Sequence, residues 1–147
     1  MCQIDNILME RVGDIIAYKV FTKRTLDDGT QIFRSIYQEM RYALNKTYTE
    51  KGGGYMKNHR TPTIGSGYFH AFATEADARE FAAKRNKWMH IYYHGLYPEA
   101  VVGKVVLHNS KKGDEVYSGR MISLGGPYST FASKRLTLIE VFDDVPV

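Results

Sequence analysis

One segment of the sequence strongly favours an α-helix, and segments rich in β-branched and aromatic residues lie on both sides of it. The helix is predicted over residues 74–88, with Thr74 as its N-cap and Asp77 at the third helical position. Acidic residues near its start and basic residues near its end suit the helix dipole. The order of strands, one helix and further strands predicts an α+β domain, in which the helix packs on a mostly antiparallel sheet.

Short apolar or alternating segments predict the strands. These segments are residues 14–21, 31–37, 68–72, 100–107, 115–124 and 135–142. The Asp28-Gly29 pair predicts a tight turn that joins the first two strands in a hairpin. Residues 1–13 are expected to form a short helical or irregular lead-in. A turn at residues 125–127 is expected to separate the last two strands.

Two segments between these elements are less regular. Residues 35–50 fit both a helical spacing of apolar residues and a strand-like alternation, and we expect extended structure with a turn at Asn45-Lys46. Residues 51–67 are rich in glycine and predict a mobile loop. Loops of this length in a compact domain often carry binding residues.

The composition fits a single cytoplasmic domain of residues 1–147. Apolar residues make up 44% and charged residues 24%, as in ordinary globular proteins. Cys2 is the only cysteine, so no intramolecular disulfide is expected, which suits a reducing compartment. No segment has the pattern of a signal peptide or a transmembrane helix, so no membrane partner is expected.

Charge and aromatic content indicate where a partner would bind. The net charge of +4 and the 11 tyrosines suit an anionic partner. Basic residues in the glycine-rich loop are placed to meet an anion, because glycine lets a ligand approach the backbone closely. The predicted binding residues are Lys57, His59, Arg60, Tyr68, His70, Lys84, Arg85, Lys87, Trp88 and Tyr92.

The end of the helix has two interpretations. Basic residues interleaved with aromatic ones, such as Lys84 and Lys87 beside Trp88 and Tyr92, are able to hold phosphates and stack bases. The simpler interpretation, which we favour from the sequence, is that the cations stabilise the helix C-terminus while the aromatic side chains enter the core.

The sequence contains no complete catalytic or metal-binding pattern. The glycine-rich loop matches neither a P-loop nor GxGxxG, and no GxSxG elbow indicates a Ser/His/Asp triad. His90 and His94 are spaced for a metal on a helix, but the pattern lacks the glutamate of HExxH and a third ligand. We therefore expect a non-enzymatic binding protein without cofactor or metal. The alternative is a small nucleotide-acting enzyme that uses His59, His70 or His90 as acid or base.

Four segments resemble small proteins encoded by phages and mobile genetic elements. They are IIAYKVF, YALNKTY, GYFHAFATEADAREFA and VVGKVVL, within residues 15–142. The resemblance implies a cytoplasmic accessory protein, in a group that includes anti-CRISPR inhibitors and proteins that sequester nucleotide signals. The implied partner is a host defence protein or an anionic nucleotide. A looser likeness to ADP-ribosyltransferase-type folds, whose split sheets bind NAD, implies the nucleotide-acting enzyme. Nucleic-acid binding and a homo-oligomeric state remain open.

Overall fold

The computed structural model describes residues 2–8, 13–36, 40–52, 63–64, 67–94, 98–121, 127–142 and 144–145. Within these ranges the chain forms one helix and a large antiparallel sheet, which confirms the predicted α+β class. The strands are β1 (Cys2–Leu8), β2 (Ile15–Thr25), β3 (Gln31–Ser35), β4 (Arg41–Tyr42), β5 (Thr47–Thr49), β6 (Thr63–Ile64), β7 (Phe69–Phe72), β8 (Glu99–Leu107), β9 (Val116–Met121), β10 (Tyr128–Ser133) and β11 (Arg135–Phe142), and the helix is α1 (Glu75–Tyr93).

The sheet is built around a long ladder between β2 and β8. The strand order is β5-β11-β8-β2-β7-β10-β9-β1-β6, with β3 added to β2 and β4 added to β3. The β2–β8 register runs without interruption from the pair Ile15 and Leu107 to the pair Lys23 and Glu99. Four of the nine residues of β8 are valines, and apolar residues also predominate in β2 from Ile15 to Phe21, as expected for strands that pack on both faces.

The sheet divides into two branches at the edge of β2 that faces away from β8. Near its start, β2 pairs with β7 at Tyr18 and Phe72, whereas further along it pairs with β3 from Phe21 to Thr25. Two different strands therefore share one edge of β2, one after the other. Lys19 and Val20 lie at the division, between the two partner strands.

The branch that carries β3 and β4 curls back towards the β11–β5 end of the sheet. In the turn between β4 and β5, the Asn45 N–H donates to the Leu138 carbonyl at 2.7 Å. The rings of Tyr42 and Tyr48 pack with their centroids 4.9 Å apart. The enclosed apolar core includes Phe21, Phe33, Tyr42, Phe69, Val101, Val105, Leu136 and Leu138.

Helix α1 begins and ends with side-chain and backbone caps. The Thr74 hydroxyl accepts a hydrogen bond from the Asp77 N–H at 3.2 Å, as the sequence predicts. The helix ends at Tyr93 and is capped by His94, whose φ of 53° is left-handed and whose N–H donates to the His90 carbonyl. The helix therefore extends five residues beyond the predicted end at Trp88.

The second core lies between α1 and the sheet, and a buried asparagine positions the helix there. The buried residues of α1 are Ala78, Phe81, Ala82 and Asn86. The Asn86 amide donates to the Ala100 carbonyl at 3.0 Å and accepts from the Ala100 N–H at 2.7 Å. Strand β11 reaches only as far as Val102 on this edge of β8, so Asn86 supplies the hydrogen bonds that a further strand residue would make.

Two sequence predictions are corrected here. Residues 2–8 form strand β1, paired with β6 and β9, instead of a helical lead-in, because sheet pairing overrides a short helical spacing. Residues 128–133 form strand β10, which the sequence analysis did not predict, and residues 122–126 lie outside the described residues. The extended structure expected over residues 35–50 is confirmed for residues 40–50, with the turn at residues 44–45 instead of 45–46, and residues 37–39 lie outside the described residues.

An ion pair with a buried carboxylate ties the connection between β8 and β9 to the start of β11. Arg135 donates to both carboxylate oxygens of Asp114, at 3.1 and 3.0 Å, and the Asp114 side chain is only 7% exposed. The backbone N–H groups of Ser110 and Lys111 also donate to this carboxylate. The carboxylate is a structural acceptor whose pKa the Arg135 guanidinium holds below the ordinary value.

We expect Asn86→Ala to lower the free energy of unfolding by about 2–4 kcal/mol, because it leaves the buried N–H and C=O of Ala100 without partners. Urea unfolding followed by circular dichroism measures this. Lys87→Ala is the control, since it changes an exposed neighbouring position on the same helix. A loss for Asn86→Ala no larger than that of the control would contradict the proposed role of the amide.

We expect Asp114→Asn to lower the free energy of unfolding at pH 7 by about 2 kcal/mol, because it breaks a bidentate, buried pair. The pKa of Asp114 is lowered by Arg135, so this contribution is complete above the unfolded carboxyl pKa. The difference between wild type and variant therefore shrinks as the pH falls below about 4. Asp144→Asn is the control, since its pair with Arg79 is 72% exposed on the carboxylate side. Equal pH profiles for the two variants would contradict this account.

Candidate functional site

The predicted binding residues lie in three places. Those of the glycine-rich loop lie outside the described residues: Lys57, His59 and Arg60. Those next to or on β7 are Tyr68 and His70. The remaining five follow one another along the second half of α1: Lys84, Arg85, Lys87, Trp88 and Tyr92. The five residues on α1 are therefore the part of the predicted set that the structure places together, and they lie at the candidate site.

The C-terminal end of α1 carries an exposed group of large apolar side chains, which we call the helix-end cluster: Trp88, Ile91, Tyr92 and Tyr93. Their exposed fractions are 40%, 55%, 63% and 37%. The Trp88 ring packs on Tyr92 at 5.2 Å and on Tyr93 at 5.4 Å between centroids. The rings support one another in a preformed surface, and an apolar patch of this kind is typical of an interaction site.

The interpretation that these aromatic side chains enter the core is wrong. Asn86 contacts Ala100, the second residue of β8, so the helix residues after Asn86 continue beyond the beginning of that strand. No further strand of the described sheet covers Trp88 and Tyr92 there, as their exposure shows. The helix carries them past the core because it continues for seven residues after Asn86, to Tyr93.

Basic side chains lie on α1 in the turn just before the helix-end cluster. Lys87 is exposed, and Lys84 pairs with Glu80 one turn earlier at 2.8 Å, which raises the Lys84 pKa. Arg85 is half-buried on the same helix. The last turn also places the partial negative charge of the helix end beside the cluster. The surface therefore combines apolar anchors with two lysines, of which Lys84 is held by Glu80 and Lys87 is exposed.

A small cavity opens where the sheet divides. Its lining residues come from both branches and from α1, and they are mostly apolar, among them Val20, Ile36, Phe72, Phe81 and Met121. Its volume is about 50 Å³, enough for a few water molecules. Sites that enclose small-molecule ligands usually measure roughly 300–1,000 Å³. The cavity is therefore too small to enclose a nucleotide.

Polar groups at this cavity serve the fold. Lys19 is 7% exposed, and its Nζ donates to the His70 carbonyl at 2.8 Å, which joins β2 to β7 across the division. His70 and Thr130 also line the cavity.

Tyr68 is fully buried, and its hydroxyl donates to Glu115 at 3.0 Å. As a correction to the sequence prediction, Tyr68 supports the core and presents no surface to a partner.

The sequence analysis missed a line of polar groups that joins the residues after β8 to β11 and to the residue before β2. His108 lies between Asp14, 3.4 Å from its Nδ1, and Thr137, 2.7 Å from its Nε2. The Asn109 N–H and the Ser110 hydroxyl also donate to Asp14 and lower its pKa. This order of carboxylate, imidazole and hydroxyl has the composition of a catalytic triad.

The surroundings of Thr137 favour a structural role for this line. Its hydroxyl lies 2.6 Å from that of Thr47, its partner in the β11–β5 register, so it takes part in a cross-strand pair. The cavity at the sheet division is lined by other residues. His108 thus joins the end of β8 to β11 and to the segment before β2.

Neither known proteins nor the metal-ligating and apolar residues of the described structure assign a function to this chain. No family model, curated protein or solved structure matches the chain. Among the described residues, no three histidine, cysteine, aspartate or glutamate side chains converge on a metal position. In the same ranges, no helix is long and apolar enough to cross a membrane. The exposure of the helix-end cluster and the packing of its rings make it the candidate functional site.

Trp88 is the single tryptophan of the chain, so its fluorescence reports directly on this site. Because the ring is 40% exposed and lies near Lys84 and Lys87, we expect its emission to be quenched readily in the native state, and more by iodide than by caesium. The urea-unfolded protein is the control for full exposure. Emission protected from both ions would show that the ring is covered and would contradict the placement of the cluster.

Proposed function

We propose that this protein is a non-enzymatic binding protein that holds an acidic protein partner with the end of α1. The observation that carries this proposal is the exposure of Trp88, Ile91 and Tyr92 together, beside Lys84 and Lys87. Tryptophan and tyrosine are the usual anchors of protein interfaces, because they bury a large area at low cost in side-chain entropy.

The basic surroundings favour a partner whose binding pocket is bordered by carboxylates. Such charges contribute mainly to the rate of association and to the choice of partner. The resemblance to phage accessory proteins favours a host defence protein as that partner, with this protein as its inhibitor. Within the described part of the chain, the cavity at the sheet division is too small to enclose a nucleotide, which favours this function over sequestration of a nucleotide there.

A photo-crosslinking amino acid at position 92 tests the proposal in cells that contain the partner. A second version carries the same group at Leu44, which is 50% exposed on another part of the molecule. We expect one protein to be crosslinked from position 92 and not from position 44. That protein is then purified and its dissociation constant is measured against the wild type and three variants: Trp88→Ala, Tyr92→Ala and Leu44→Ala.

We expect Trp88→Ala and Tyr92→Ala each to weaken binding at least tenfold, which corresponds to about 1.4 kcal/mol or more, and Leu44→Ala to leave it unchanged. Equal affinity of all four proteins would contradict the proposal. So would sedimentation that shows a dimer of the wild type and a monomer of Trp88→Ala, since a second copy of the chain would then cover the cluster.

A further inference from the structure

Three arginine side chains, Arg24, Arg34 and Arg41, share one face of the three-stranded antiparallel unit formed by β2, β3 and β4. Arg34 lies directly opposite Thr22 on β2 and opposite Arg41 on β4. Side chains directly opposite in an antiparallel pair project from the same face, with their Cβ atoms about 4.5–5.5 Å apart. Arg24 lies two residues after Thr22 on the same strand and therefore also projects from this face.

This face points away from the enclosed core. Phe33 and Tyr42, the register partners next to the arginines, are 8% and 4% exposed and pack in that core. Because successive side chains alternate between faces, the arginines project outwards. Arg24 and Arg41 are exposed, and Arg34 is half-exposed.

The three guanidinium groups differ from the arginines that stabilise the fold. Arg79 and Arg135 each hold a carboxylate, at 2.8 Å from Asp144 and at 3.0 Å from Asp114. Within the described ranges, no carboxylate forms such a pair with Arg24, Arg34 or Arg41. Like charges placed opposite each other in a sheet destabilise it, so the arrangement costs stability in the absence of an anion.

We propose that this face binds the phosphate backbone of a nucleic acid. The planar guanidinium group donates two parallel hydrogen bonds to a phosphate, and a phosphate between Arg34 and Arg41 would relieve their repulsion. Besides the arginines, this face carries Thr22 and Ile32, and further along the same segments Val20 and Ile36, which pack in the core beneath α1. The part of the face that carries the arginines therefore lacks the aromatic anchors that a protein partner requires. Phosphate contacts carry no sequence information, so binding would be independent of sequence.

The test measures fluorescence anisotropy of a fluorescein-labelled single-stranded DNA of mixed sequence over a range of NaCl concentrations. The variant is Arg34→Gln/Arg41→Gln. The matched control is Lys111→Gln/Lys112→Gln, which removes the same charge from an exposed turn elsewhere. We expect the arginine variant to lose at least tenfold in affinity at low salt. The slope of log K against log salt should become shallower by roughly 1.4, for two phosphates released.

We expect the lysine control to change affinity by less than threefold, and Arg34→Lys/Arg41→Lys to keep the wild-type salt slope while it binds more weakly, because lysine lacks the paired donors. Urea unfolding shows that the variants fold, and we expect the glutamine variant to unfold at an equal or higher urea concentration. The proposal fails if the wild type does not bind DNA at low salt. It also fails if Arg34→Gln/Arg41→Gln and the control Lys111→Gln/Lys112→Gln lose equal affinity. It also fails if poly-glutamate displaces the DNA at equal charge concentration, since the site would then favour an acidic protein.

Discussion

The ladder between β2 and β8 determines where everything else in the structure can lie. It runs over nine consecutive register pairs, and every other described part of the sheet is added to one of its two outer edges. On the β8 side, β11 ends at Val102 and leaves Ala100 to be paired by Asn86. On the β2 side, the edge is shared between β7 and β3. Both proposed binding surfaces arise where these edges change partner.

The Asn86 side chain connects the fold to the helix-end cluster. An amide that pairs with a strand backbone in both directions fixes the position of the helix along the strand and its rotation. Because Asn86 lies at the beginning of β8, the two helical turns that follow it extend beyond the sheet. Trp88 and Tyr92 are therefore exposed as a consequence of where the helix is held.

The division of β2 has a comparable effect on the arginine face. Strands β3 and β4 leave the main sheet and enclose Phe33 and Tyr42 on one side. Their other side projects Arg34 and Arg41 towards solvent, where no carboxylate of the described residues forms an ion pair with them. Ala100, which Asn86 holds, is also the register partner of Thr22, so the helix-end cluster and the arginines lie near the same end of β2.

The amino-acid sequence by itself determined the fold class, most of the strands, the hairpin turn at Asp28-Gly29 and the N-cap of the helix at Thr74, because these depend on local periodicity and capping chemistry. It did not identify β1 or β10, whose pairing comes from strands far away in the chain. Only the tertiary structure decided which side chains are exposed: Tyr68 became core and Trp88 became surface. The physical reason is that exposure depends on where the sheet ends beneath the helix, and the juxtaposition of Arg34 and Arg41 depends on strand register. Neither quantity is encoded in the neighbouring residues alone.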